Sequence, residues 1–236
     1  MFRKFDPSED ISSQQLPKSS AVRTIRAAML KQFPAFTDPS IAPAAPVVPV
    51  PAEDAPAEDA PAEDATVTED VPATTEAASG AKEEEEEEAE PVPNIGDIVF
   101  PSTTNFKILK SRHFYTIFSV NDKPQFVQLD EGDIFPTLRV LQRFPRLMPG
   151  IYVDKGAVRP LMGGSDLMVP GIYKPSLEAI GELPAGTVVA VYAIGLQHPF
   201  MIGRLTYNVR TILGMQTGNV VENLHTMGDG LWEHSK

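Results

Sequence analysis

Three arginines fall within eight residues at Arg139, Arg143 and Arg146. On a helical wheel Leu138, Val140, Leu141 and Phe144 occupy one half, and Arg139 and Arg143, four apart, share the other. Such a trio can contact phosphate. The same spacing also suits a merely solvated helix face. Arg23, Arg26 and Lys31 lie off the apolar stripe of an earlier helix and read more simply as solvated. The four histidines, His113, His198, His225 and His234, show no metal-ligand spacing. There is no cysteine, which excludes disulfides, thiolate catalysis and cysteine-held metals; separately, no cofactor is expected. No phosphate-binding lysine loop or Gly-x-Ser-x-Gly elbow occurs. Asp130-Glu131-Gly132-Asp133 reads as a turn, and Gly163-Gly164-Ser165-Asp166 as a lone glycine turn. By elimination the expectation is a protein that is not an enzyme.

These residues must be placed by ordered elements. Val22, Ile25, Met29 and Phe33 recur at helical spacing over Lys18 to Phe33, with Ser19 or Ser20 as the expected cap and Pro34 as the stop. Lys107–Leu109, His113–Val120 and Gln125–Leu129 read as strands, the last two joined by turn residues Asn121-Asp122-Lys123-Pro124. Thr137 to Phe144 is the arginine helix, stopped by Pro145. Tyr152-Val153 is strand-like. Asp154 is the expected cap of a helix over Lys155 to Met162, which Gly163-Gly164 can end in a left-handed turn. Leu167–Gly171, Gly186–Ile194, Phe200–Val209 and a last segment from Asn219 complete a small β-barrel with one helix. Pro170-Gly171 suits a type II turn with positive φ at the glycine.

Composition divides the chain. It has 236 residues and a formal net charge of −12, but residues 38–92 hold 17 Asp+Glu, one Lys and nine prolines. That stretch carries −16, and the other 181 residues carry +4. Three Pro-Ala-Glu-Asp-Ala units and six consecutive glutamates, Glu83 to Glu88, cannot bury enough apolar surface to offset ordering entropy. The stretch is expected to be a disordered acidic spacer with a span on the order of 40 Å. From there it could compete with phosphate for basic faces. The N-terminus lacks the apolar core of a signal peptide, and no run approaches a membrane span, so a cytoplasmic protein is expected.

Val153-Asp154-Lys155-Gly156-Ala157-Val158, followed by Gly163-Gly164-Ser165-Asp166-Leu167-Met168-Val169-Pro170-Gly171-Ile172, resembles the opening of a PUA domain. That RNA-binding pseudo-barrel takes its name from pseudouridine synthases and archaeosine transglycosylases. Met1-Phe2-Arg3-Lys4-Phe5-Asp6, Gln32-Phe33-Pro34, Phe135-Pro136-Thr137-Leu138-Arg139 and Asp229-Gly230-Leu231-Trp232 narrow the match. They resemble the malignant T-cell-amplified sequence family, whose fungal members are translation-machinery-associated proteins and to which ligatin carries a related region. The resemblance covers about 180 residues, everything outside the acidic stretch.

It implies an α+β protein. A pre-PUA α/β domain would occupy 1–37 and 93–150, interrupted by the disordered acidic Pro/Ala/Glu-rich insertion 38–92, and a PUA pseudo-β-barrel would occupy 151–236. It further implies binding to the small (40S) ribosomal subunit and tRNA, with density-regulated protein as heterodimer partner. The implied roles are tRNA release in ribosome recycling, reinitiation and non-standard initiation. An accessory RNA-targeting subunit of a modification complex is the alternative, and an acidic interaction or chaperone-like protein a third reading. For an RNA end, Gly156, Gly163, Gly164 and Gly171 would let backbone approach phosphate, Lys155 and Arg159 would supply charge, and Met168 and Ile172 an apolar edge. Pro160 falls inside the expected helix, where it should shorten it and redirect Val158 and Arg159.

Overall fold

The computed structural model describes residues 2–33, 105–129, 132 and 134–234. The acidic stretch 38–92 and most of Asp130-Glu131-Gly132-Asp133 lie outside the described residues. No helix among those described is long and apolar enough to cross a membrane.

Two five-stranded sheets organise the described chain. The first has the order β1-β2-β3-β4-β5, antiparallel throughout, built from Ile11–Gln15, Phe106–Ser111, Tyr115–Val120, Lys123–Leu129 and Ile134–Pro136. Around it lie α1 (Pro7–Asp10), α2 (Ser19–Gln32) and α3 (Leu138–Arg143). The second sheet has the order β6-β8-β9-β10-β7, from Gly150–Val153, Leu167–Met168, Val188–Ala193, Met201–Leu205 and Asn219–Thr226. Its β6 and β8 are parallel, and the other pairings are antiparallel. It carries α4 (Lys155–Met162), α5 (Lys174–Ile180), α6 (Val209–Gly214) and α7 (Gly230–His234).

Alternation along the strands explains how the two sheets share a core. Side chains of a strand point to opposite faces in turn. Ile151, Val153, Val189, Val191 and Ala193 enter the second sheet's own core. Tyr152, Ala190, Tyr192, Ile202 and Leu224 enter the core of the first sheet, with Ile117, Phe126, Leu138 and Leu141. The apolar run from Val188 is thus apolar on both faces because both are buried.

Several local expectations need correction. Lys18, not Ser19 or Ser20, sits at the α2 cap and makes no side-chain capping bond; α2 is held by Met29 and Phe33 in the core. Asp154 occupies the α4 cap through its backbone, whose carbonyl accepts from the Ala157 N–H (2.9 Å), and its side chain does not cap. The β3–β4 turn is the two residues Asn121 and Asp122, with φ of 51° and 63°, as a two-residue hairpin requires. Lys123 and Pro124 already belong to β4, and a register shift opposite Pro124 accommodates the proline. His113 and Phe114 precede β3 in a loop, and β9 ends at Leu205, before Asn208 caps α6 by accepting from the Thr211 N–H (2.8 Å). The second sheet carries several short helices where one was expected. These are too short for periodicity to reveal, and start at Lys174-Pro175 or at the Asn208 cap.

Pro160 does not shorten α4, which runs on to Met162. The proline removes the bond from its own nitrogen to Gly156, and Gly156 is exposed, so water can satisfy that carbonyl. Gly171 does not have positive φ. It ends a 3-10 turn, Val169–Gly171, and a Cβ there would lie 3.1 Å from the Ala157 Cβ and 3.2 Å from the Leu167 Cδ1. Close packing, not backbone sign, calls for glycine.

Candidate nucleic-acid interface

The outer face of α4 is set by its inner one. Leu161 is buried and Ala157 and Val158 pack against the core, so Lys155, Gly156, Arg159 and Met162 face out. Lys155 and Arg159 stand one turn apart on that face. The C-terminus closes with the Gly164 N–H donating to the Leu161 carbonyl (2.9 Å) and the Ser165 N–H to the Pro160 carbonyl (3.2 Å). Gly164, at φ 90°, supplies the left-handed residue this closure needs. Buried Asn223 of β10 fixes the helix end by donating to the carbonyls of Leu161 (2.9 Å) and Ser165 (3.0 Å), while its own N–H donates to Asp166 Oδ1 (2.9 Å). No signal within the helix sequence pointed to Asn223.

At the other end the Asp154 N–H donates to the Gly171 carbonyl (3.0 Å), which joins the start of α4 to the turn after Met168. Met168 is half exposed. Lys155, Arg159 and Met162 thus combine two cations with an exposed thioether on one face of α4, and Met168 exposes a second thioether on β7. Ile172 is buried in the core and offers no edge to a base.

The four glycines behave differently. A Cβ on Gly156 would meet nothing, so its backbone is open. Gly163 backs onto its own helix, and Gly171 faces Ala157 and Leu167. Gly164 is exposed beside Arg3, whose Cδ lies 3.2 Å from where a Cβ would be. An anion at that turn would meet Arg3, a cation from the far end of the chain.

The arginines of α3 also separate. The Arg139 guanidinium carbon lies 3.8 Å from the centroid of the Trp232 ring, and its Nε is buried without a hydrogen-bond partner. Arg139 is thus held at the seam between the two sheets by a cation–π contact. Arg143 is exposed, its guanidinium carbon 5.5 Å from the centroid of the Phe144 ring. Arg146 follows in the 3-10 turn Pro145–Leu147. Arg139 and Arg143 line a cleft of about 520 Å³ with Lys123, Gln125, Gln142 and His198. Its lining contains no carboxylate, and His198 comes from the second sheet's β8–β9 connection.

No group of three metal-ligating side chains occurs among the described residues. His225 is fully buried, its Nδ1 2.7 Å from Asp229 Oδ2. Asp229 also accepts from the backbone N–H groups of Thr226 and Trp232 (both 2.9 Å), so this pair organises the start of α7.

The fold and two matching domain models define a pre-PUA plus PUA protein, of the RNA-binding class. A pre-PUA-like domain model matches residues 87–145, and a model described as the elF2D PUA domain matches residues 148–230. Malignant T-cell-amplified sequence 1 of Danio rerio is 34% identical over 143 residues, covering 59% of this chain and 78% of that protein. Malignant T-cell-amplified sequence 1-A of Xenopus laevis is 34% identical over 134 residues, 57% of this chain and 74% of that one. A PUA domain of Aeropyrum pernix K1, solved as a tartrate complex, is 28% identical, with TM-score 0.46 over 58% of this chain and 77% of that one. The chain belongs to the malignant T-cell-amplified sequence family.

Proposed function

We propose that this protein is a non-enzymatic RNA-binding translation factor of the cytoplasm that acts on the small ribosomal subunit, in tRNA release during recycling and in reinitiation or non-standard initiation. The proposed domains are pre-PUA at 1–37 and 93–150 and PUA at 151–236. The observation that carries the reading is the α4 surface. Lys155 and Arg159 suit phosphate, open Gly156 lets backbone approach it, and Met162 and Met168 suit an unstacked base. The cleft of Lys123, Arg139, Arg143 and His198 supports a second phosphate contact, and Arg146 follows it in sequence. Family membership supports density-regulated protein as the heterodimer partner.

Sucrose-gradient sedimentation of the full chain tests this. Wild type should comigrate with 40S subunits. The K155E/R159E variant should bind more weakly with a flatter salt dependence, because each lost phosphate contact removes released counterions. Comigration with an RNA-modifying enzyme instead would overturn the ribosomal reading, and unchanged binding by the variant would overturn the α4 assignment.

A further inference from the structure

β2 and β3 are joined by three residues, Arg112, His113 and Phe114. Three-residue hairpin loops end in a left-handed residue, a place that favours glycine or asparagine. Here Phe114 carries it, at φ 60°. The other non-glycine residues with positive φ among those described are Asn121 and Asp122, types that tolerate it, and phenylalanine is not. The strain is not offset by burial, because Phe114 is 80% exposed.

The loop is a built one. The Arg112 N–H donates to the Asp10 carbonyl (3.0 Å), and the His113 N–H to Ser111 Oγ (3.0 Å). His113 Nε2 lies 3.1 Å from Asp10 Oδ1, and its ring stacks near Tyr115, which is buried against Phe2 and Phe5. The hairpin end thus presents one exposed aromatic ring on a hydrogen-bonded loop. The residues before it are polar or cationic: exposed Lys110 and Arg112, with Ser111 and the Asp10-paired His113, while Tyr115 after it is buried. An apolar pocket on a protein partner would call for apolar company around the ring. An exposed ring on a hairpin end that carries two exposed cations suits a polyanion whose bases have open π-faces.

We propose that Phe114 is a stacking platform for an unpaired base of single-stranded RNA, with Lys110 and Arg112 engaging the adjoining phosphates. The proposal rests on the RNA-binding reading above and adds a contact apart from both the α4 surface and the cleft.

The test uses the full chain, a fluorescently labelled twelve-nucleotide oligouridine, and an abasic oligomer of equal length. F114G relieves the left-handed strain while removing the ring. Its melting temperature should equal or exceed that of wild type, and its affinity for oligouridine should fall roughly 5- to 150-fold, the range of one stacked base. Affinity for the abasic oligomer, which keeps the phosphates, should be unchanged. F114W should retain oligouridine binding, with the introduced indole quenched by the base. Equal oligouridine affinity for F114G and wild type would overturn the platform and return the ring to a protein partner. An equal loss on both oligomers would also overturn it, since base stacking would then play no part. Wild type binding neither oligomer would overturn the RNA reading itself, a failure distinct from a wild type that binds with F114G unaffected.

Discussion

Tyr192 donates its hydroxyl hydrogen to the Pro145 carbonyl (2.9 Å) at the boundary between the sheets, and burial pushes its phenol up, with Tyr152 adding to the effect. A phenol raised in the folded state keeps its proton where the unfolded chain loses it. Stability is therefore complete below the ordinary tyrosine value of about 10 and declines as pH climbs past it. Tyr192→Phe should cost about 1 kcal/mol at neutral pH through the lost hydrogen bond. It should also lessen the decline between about pH 10 and 12. Urea denaturation at pH 7 and pH 11 measures both. A variant as alkali-sensitive as wild type would assign the decline to other groups.

At the scale of elements, α3 illustrates how a helical wheel misleads. Arg139 and Arg143 share a face by periodicity, yet the first lies over the Trp232 ring of α7 and the second is left exposed. Arg139→Ala should cost stability, about 0.5–2 kcal/mol by the cation–π scale, and shift Trp232 emission. Arg143→Glu should leave thermal unfolding within about 0.5 kcal/mol of wild type and weaken small-subunit binding. Thermal denaturation and sedimentation of both variants would show the split, and equal effects on both readouts would remove the distinction. Gly171 is likewise set by a neighbouring element. Its glycine serves the contact of the Val169–Gly171 turn with α4, and Asp154 donates to its carbonyl.

For the whole molecule, the family-like motifs prove to be one place. The Gly230 N–H donates to the Phe2 carbonyl (3.0 Å), and a Cβ on Gly230 would collide with the Phe5 backbone. The Phe2 ring meets Tyr115 (centroids 4.8 Å apart) and His225 (6.1 Å). Arg139 covers Trp232, and buried Thr137 bonds Pro124 and Gln125. Residues from both ends and the middle of the chain thus make a seam that ties the sheets together. Phe2→Ala should cost about 3–5 kcal/mol, and Gly230→Ala should destabilise by displacing the N-terminal segment. In hydrogen exchange, Phe2→Ala should lower protection in both the β2–β3 hairpin and β10. Loss confined to the N-terminal segment would show that the seam does not couple the sheets.

Periodicity and turn chemistry were enough to read α2, α3, α4, the β2–β3–β4 meander and the apolar strands β8 and β9 from the sequence. Each depends on contacts between near neighbours: an apolar stripe, turn residues from Asn121, a glycine closure at Gly163-Gly164. The motifs in the sequence also identified the family. Other features come from partners distant in sequence. Ile11–Gln15 becomes a strand only by pairing with β2, almost a hundred residues on. Ile172, which could have been an edge, is core because β6 bridges to it. Arg3 lies beside Gly164, and Asn223 pins α4 from the last strand. Whether a cation faces solvent, an aromatic ring or a cleft is decided by what the opposite end of the chain lays over it. Such contacts between residues remote in sequence leave no periodic trace there.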